Sequence, residues 1–149
     1  MDLVVLEELK RLKYRYLRAL DQKLWDEFAD TLASDATSNY GAKLSFSSRT
    51  EIVEFMRSSL DTGIITEHHV GHPEIEIEID GDTATGVWYL QDVVIVPEQR
   101  MMLRGAAFYE DSYARSAEGT WQITHTGYQR SYEYWVSLDD LPSLKLTHP

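Results

Sequence analysis

From Ile75 to Ile79 the chain alternates isoleucine with glutamate. This is the period-two pattern of an antiparallel strand with one buried face, and Asp80-Gly81 supplies the hairpin turn that ends it. Carried back toward the N-terminus, the same parity sets His69 on the apolar face and His68 and His72 on the glutamate face. A bulge at Pro73 would break that phase, because one extra residue exchanges the two faces of a strand. Strand-like segments over roughly 66–79, 83–96, 101–115 and 120–132 are divided by Asp80-Gly81-Asp82, Pro97-Glu98-Gln99 and Glu118-Gly119.

Upstream the period changes. Leu6, Leu9, Leu12, Tyr16 and Leu20 recur every three or four residues and predict a helix to about Leu20. Leu24, Trp25, Phe28 and Leu32 continue at helical spacing and predict a second helix as far as Ser34-Asp35. Ser48 with Glu51 forms a capping box ahead of Ile52, Phe55, Met56 and Leu60, a third helix that Gly63 would stop. Between helices two and three, residues 37–40 and 44–47 flank Gly41-Ala42 as a short hairpin. Helices first and a meander of strands afterwards give an α+β class: three N-terminal helices packed on a strongly curved, mostly antiparallel sheet. The pattern predicts one domain over 1–135, followed by an arm over 136–149 that contains Asp139-Asp140, Pro142 and Pro149.

The 149 residues are 43% hydrophobic, enough for one core without staples. The formal charge of −11, from 14 basic against 25 acidic residues, repels nucleic-acid phosphates and anionic membranes. With no cysteine, disulfides, thiolate catalysis and cysteine metal sites are excluded. The opening Met1-Asp2-Leu3-Val4-Val5-Leu6-Glu7-Glu8 lacks a basic leader, and no segment reaches membrane-spanning length, so a cytoplasmic protein is expected.

Several groups sit where a charge needs an explanation. Asp92 shares strand parity with Trp88, Leu90, Val94 and Val96; a carboxylate in that row needs a partner or a raised pKa, unless a bulge turns it to solvent. Asp21 either caps the second helix or accepts from an imidazole N–H, fixing the tautomer so that the other nitrogen takes a proton. His69 is the imidazole favoured by parity. Tyr16 and Tyr40 are core aromatics or acids over a pocket, and Arg130 pairs with a buried carboxylate, orients a ligand or lies in solvent. His68 and His69 on opposite strand faces, with no HExxH helix, argue against a metal site. No phosphate loop or nucleophile elbow is present, and no cofactor is implied.

The combination Tyr16-x-x-x-x-Asp21, Trp25, His69-Val70-Gly71-His72-Pro73-Glu74-Ile75, Trp88-Tyr89-Leu90-Gln91-Asp92, Gly105-Ala106-Ala107-Phe108-Tyr109 and Thr126-Gly127-Tyr128-Gln129-Arg130 resembles the SnoaL-like family of the nuclear transport factor 2-like superfamily. Within it the likeness is to the bile acid 7α-dehydratases and, more distantly, the scytalone dehydratases. The resemblance implies a cystatin-like α+β cone. It also implies a His69–Asp21 catalytic dyad with Tyr16 beside the leaving hydroxyl, and Tyr40, Asp92, Arg130, Phe108 and Trp88 around the substrate. The expected activity is cofactor-free, metal-free loss of water from a hydroxylated, carbonyl-activated steroid-like or polycyclic molecule. The alternatives are an isomerase or polyketide cyclase using the same base, and a noncatalytic ligand-binding or assembly domain. A homo-oligomer, dimer or trimer, is expected because three helices cannot cover both faces of a long sheet.

Overall fold

A computed structural model describes residues 2–41 and 44–148. Met1, Ala42 of the expected turn and Pro149 of the arm lie outside them. Asp2 caps helix α1 (Leu3–Gln22), its carboxylate accepting from the Val4 and Val5 amides. The helix buries Leu9, Leu12, Tyr16, Leu17 and Leu20, and Lys23 ends it in a left-handed conformation at φ 61°.

Helix α2 (Trp25–Asp30) is shorter than its apolar spacing predicts. The Thr31 hydroxyl donates to the Phe28 carbonyl, and Leu32, which continues the helical spacing in sequence, instead begins strand β1 (Leu32–Tyr40) opposite Ile123. Short apolar runs do not distinguish the two periods, and sheet pairing decides between them. Strand β2 (Ser45–Phe46) pairs with β1, and helix α3 (Arg49–Ser59) starts at Ser48, whose hydroxyl accepts from the Glu51 amide.

The remaining strands are β3 (Ile65–Ile77), β4 (Thr83–Val96), β5 (Met101–Arg115) and β6 (Trp121–Ser137). Together they form one six-stranded sheet in the order β2-β1-β6-β5-β4-β3, in which β1–β6 is parallel and every other pairing antiparallel. The sheet is not closed, and the helices pack against its inner face. Beyond β6, Leu138 is buried and its amide donates to the Arg100 carbonyl.

Two of the sheet's irregularities decide which side chains of β3 and of the end of β6 face inward. In β3 the pairing runs from Gly71 opposite Tyr89 to Glu74 opposite Val87, three steps against two, with His72 at φ 50° as the extra residue. In β6 it runs from Arg130 opposite Ala107 to Tyr132 opposite Ala106, which makes Ser131 the extra residue. Each insertion reverses the inward parity on its far side.

Candidate active site

Because of the bulge at His72, the inward row of β3 is Thr66, His68 and Val70 before it and Ile75 and Ile77 after it. This corrects the expected phase, which ran through the bulge uninterrupted. His69 lies on the outer face, its side chain 72% exposed and paired with Glu67 at 3.2 Å. The expected His69–Asp21 pair is therefore not formed.

His68 takes that place. Its Nδ1 lies 2.7 Å from Asp21 Oδ1, and its backbone N–H donates to Asp21 Oδ2 at 2.8 Å. Thr66 Oγ1 donates to the same Oδ1 at 2.8 Å and accepts from Lys23 Nζ at 3.1 Å. Asp21 sits in the last turn of α1, so the helix end clamps the edge strand. A carboxylate only accepts hydrogen bonds; Nδ1 therefore carries a proton, and in the neutral ring the lone pair is on Nε2. His68 is also absent from the sequence-based candidates, although Val70, two residues on, shares its parity.

His68 lines a half-open cavity of about 250 Å³ between the end of α1, helix α3 and strands β3 to β6. Leu20, Phe55, Met56, Leu60, Leu90 and Leu103 make most of its surface apolar. Tyr40, Asp92 and Arg130, all expected around a ligand, are on its wall. Asp92 is 6% exposed and directly opposite His68 in the sheet, facing inward rather than turned out by a bulge. Arg130 donates to both its oxygens, Nη1 to Oδ1 at 2.5 Å and Nη2 to Oδ2 at 2.9 Å. Burial opposes the guanidinium charge, but the hydrogen bonds and charge of Asp92 outweigh it, raising the arginine pKa above its ordinary value. The insertion at Ser131 turns Glu133 and Trp135 to the cavity as well, with Glu133 Oε2 3.1 Å from Arg130 Nε, an ion-pair contact without hydrogen-bond alignment. Strict parity from Arg130 points to Tyr132 and Tyr134 instead, and both are exposed.

Three other expected residues lie elsewhere. Phe108 is on the outer face against Tyr89, because β5 alternates and its neighbours Ala107 and Tyr109 point inward. Trp88 is buried in the core away from the cavity, its indole donating to the Tyr113 hydroxyl at 2.9 Å. Tyr16 is buried behind Tyr40, their hydroxyls 2.7 Å apart. Burial pushes both phenols above their ordinary value, so each remains a proton donor.

Beneath this wall lies a charged network absent from the sequence-based expectations. Lys13 and Asp111 are both buried, with Nζ 2.8 Å from Oδ2, and the Thr126 and Tyr113 hydroxyls also donate to Asp111. The ammonium sits 3.5 Å from the centre of the Tyr109 ring, whose other surroundings include the cavity. Burial lowers the lysine pKa, opposed by the Asp111 charge. Lys13 falls on the helical stripe between Leu9 and Tyr16, a signal already present in the chain.

The SnoaL-like domain family matches residues 2–127, a span that includes the dyad and Asp92. The chain belongs to this family. Uncharacterized proteins of Mycobacterium tuberculosis and Mycobacterium bovis are each 25% identical over 118 residues, covering 78% of this chain and 78% of theirs. Among solved structures, a putative scytalone dehydratase from Novosphingobium aromaticivorans superposes with a TM-score of 0.81 at 16% identity, over 89% of this chain and 87% of its own. A type 2 hexachlorocyclohexane dehydrochlorinase, LinA, gives 0.83 at 16% over 99% and 95%. ActVI-ORFA of Streptomyces coelicolor gives 0.71 at 15% over 85% and 97%. At these identities the SnoaL-like chain shares their fold. No helix among its described residues is long and apolar enough to cross a membrane.

Proposed function

We propose that this SnoaL-like protein is a cofactor-independent hydro-lyase whose general base is His68, oriented by Asp21. The observation that carries the reading is the 2.7 Å contact of His68 Nδ1 with Asp21 on the wall of a half-open, largely apolar cavity. That contact leaves Nε2 as the acceptor for a substrate proton.

In this reaction Nε2 removes the acidic proton beside a substrate carbonyl. The C–H electron pair becomes the new C=C bond, the C–O bond to the hydroxyl breaks, and the hydroxyl leaves as water after taking a proton from Tyr40. Tyr16, bonded to Tyr40, supports that donor from behind, and proton exchange with solvent resets both groups. A phenol held protonated by burial still protonates a departing hydroxide, whose conjugate acid is far weaker. Arg130, positioned by Asp92, holds the carbonyl end. Each proton transfer contributes about 10²–10⁴-fold, and the burial of His68, its side chain 9% exposed, supplies positioning and partial dehydration of the base. The dehydratase and dehydrochlorinase among the structural neighbours are named for eliminations and support this class.

The substrate proposed is a hydroxylated, carbonyl-activated polycycle. The cavity itself suits one or two rings, and a steroid-sized molecule would extend into the adjoining cleft between Asn39, Gly41 and Gln129. The test is turnover of β-hydroxyketone polycycles followed by product mass. Loss of one water is expected, and an unchanged mass would indicate isomerisation or cyclisation instead. His68→Ala and Asp21→Asn should each lower turnover about 10²-fold or more, while His69→Ala stays near the parent. Unchanged turnover in both dyad variants would remove the assignment.

A further inference from the structure

The cavity's charges are arranged to neutralise one another before any ligand arrives. Arg130 meets two carboxylates, Asp92 through both terminal nitrogens and Glu133 beside Nε. One positive and two negative groups leave this cluster with a surplus negative charge, while Asp21 beside His68 has Lys23 against it across Thr66. The two carboxylates differ: both Asp92 oxygens are committed to Arg130 with the side chain 4% exposed, whereas Glu133 is 47% exposed and touches the guanidinium through Oε2. Arginine carries five N–H donors, and the bidentate pair uses one from each terminal nitrogen. Donors therefore remain, but on a guanidinium whose charge is already matched.

We infer that the site selects an uncharged substrate, Arg130 donating to a neutral carbonyl or hydroxyl oxygen while Asp92 and Glu133 act as a filter against anions. This deepens the dehydratase reading and rests on the same cavity. A carboxylate entering would meet the surplus negative charge of Asp92 and Glu133 beside largely apolar walls. An ammonium would lose its water among Phe55, Met56 and Leu103 and find there only Glu133, which already sits against the Arg130 guanidinium. A carbonyl oxygen faces neither penalty. Glu133 is thus a specificity-determining residue, found through the extra residue at Ser131 that turns it inward.

The experiment uses three probes sharing one two-ring body: 2-naphthol, 2-naphthoate and 2-(aminomethyl)naphthalene. Each is titrated into the whole chain near neutral pH, with the Trp135 indole N–H resonance reporting occupancy. The naphthol should bind at least about tenfold tighter than the naphthoate and no weaker than the amine. Glu133→Gln should narrow the gap between naphthol and naphthoate at least about threefold by strengthening naphthoate binding. Equal or tighter naphthoate binding, preference for the amine, a gap unmoved by Glu133→Gln, or no response to any probe would each overturn the inference. His68→Ala keeps the order of affinities, so a failed dyad appears in turnover and a failed filter in binding.

Discussion

Gly105 shows how the guanidinium comes to lie across the cavity wall. A Cβ there would stand 2.7 Å from Arg130 Nη1 and 2.8 Å from the Tyr132 carbonyl oxygen, closer than real side chains approach. The arginine is a flexible end and can retreat; the Tyr132 backbone cannot. Gly105→Ala should therefore displace Arg130 from Asp92 and destabilise the fold by about 1–3 kcal/mol, the range for overpacking a filled site. Urea unfolding reads the stability, and the Arg130 side-chain N–H resonances read the displacement. Asp92 and Arg130 were legible as candidates because each stands in an inward row, and an inward carboxylate requires a cation. His68 was not. The fact that hides it is conformational, an extra residue two positions beyond Val70, and no rule of alternation registers an insertion before pairing reveals it.

At the scale of the strand, that insertion is held at φ 50° by a side chain that normally avoids this region. His72 packs its ring edge-to-face on Tyr89 at 5.6 Å, on the outer face. His72→Val, a β-branched residue in a left-handed conformation, should be less stable than His72→Gly by about 1–2 kcal/mol in paired urea titrations. A smaller difference would mean the strand re-registers without the bulge. The helices illustrate the complementary limit of sequence reading. α1 was readable through its full apolar stripe and α3 through Ser48 and Glu51, whereas α2 was overextended because Leu32 fits a helix and a strand equally well until Ile123 pairs with it. For β6 the strand itself was evident, but its two extra inward groups, Glu133 and Trp135, depend on the insertion at Ser131.

Across the whole molecule, four buried phenols, Tyr16, Tyr40, Tyr109 and Tyr113, have pKa values raised chiefly by burial. Below about pH 10 folded and unfolded chains both hold these protons, so the phenols leave stability unchanged there. Above it the unfolded chain ionises first, and stability falls by about 1.4 kcal/mol per pH unit for each phenol until its folded value is reached. Lys13, lowered by burial, acts with the opposite sign, one group against four. The urea midpoint should therefore fall steeply above about pH 10, and Tyr113→Phe should make that fall shallower. The α+β plan was readable from the order of the two periods, and the six-stranded order with its single parallel pair was not, since parallel pairing of β1 with β6 joins segments far apart in the chain. Asp21 adds something to this picture that distances alone do not convey. The carboxylate that orients the imidazole also receives the amide of the same residue on an outermost strand. Fraying of that strand's start and loss of the base are thus one event, so deuterium uptake at a single amide measures how much of the population is competent at any moment.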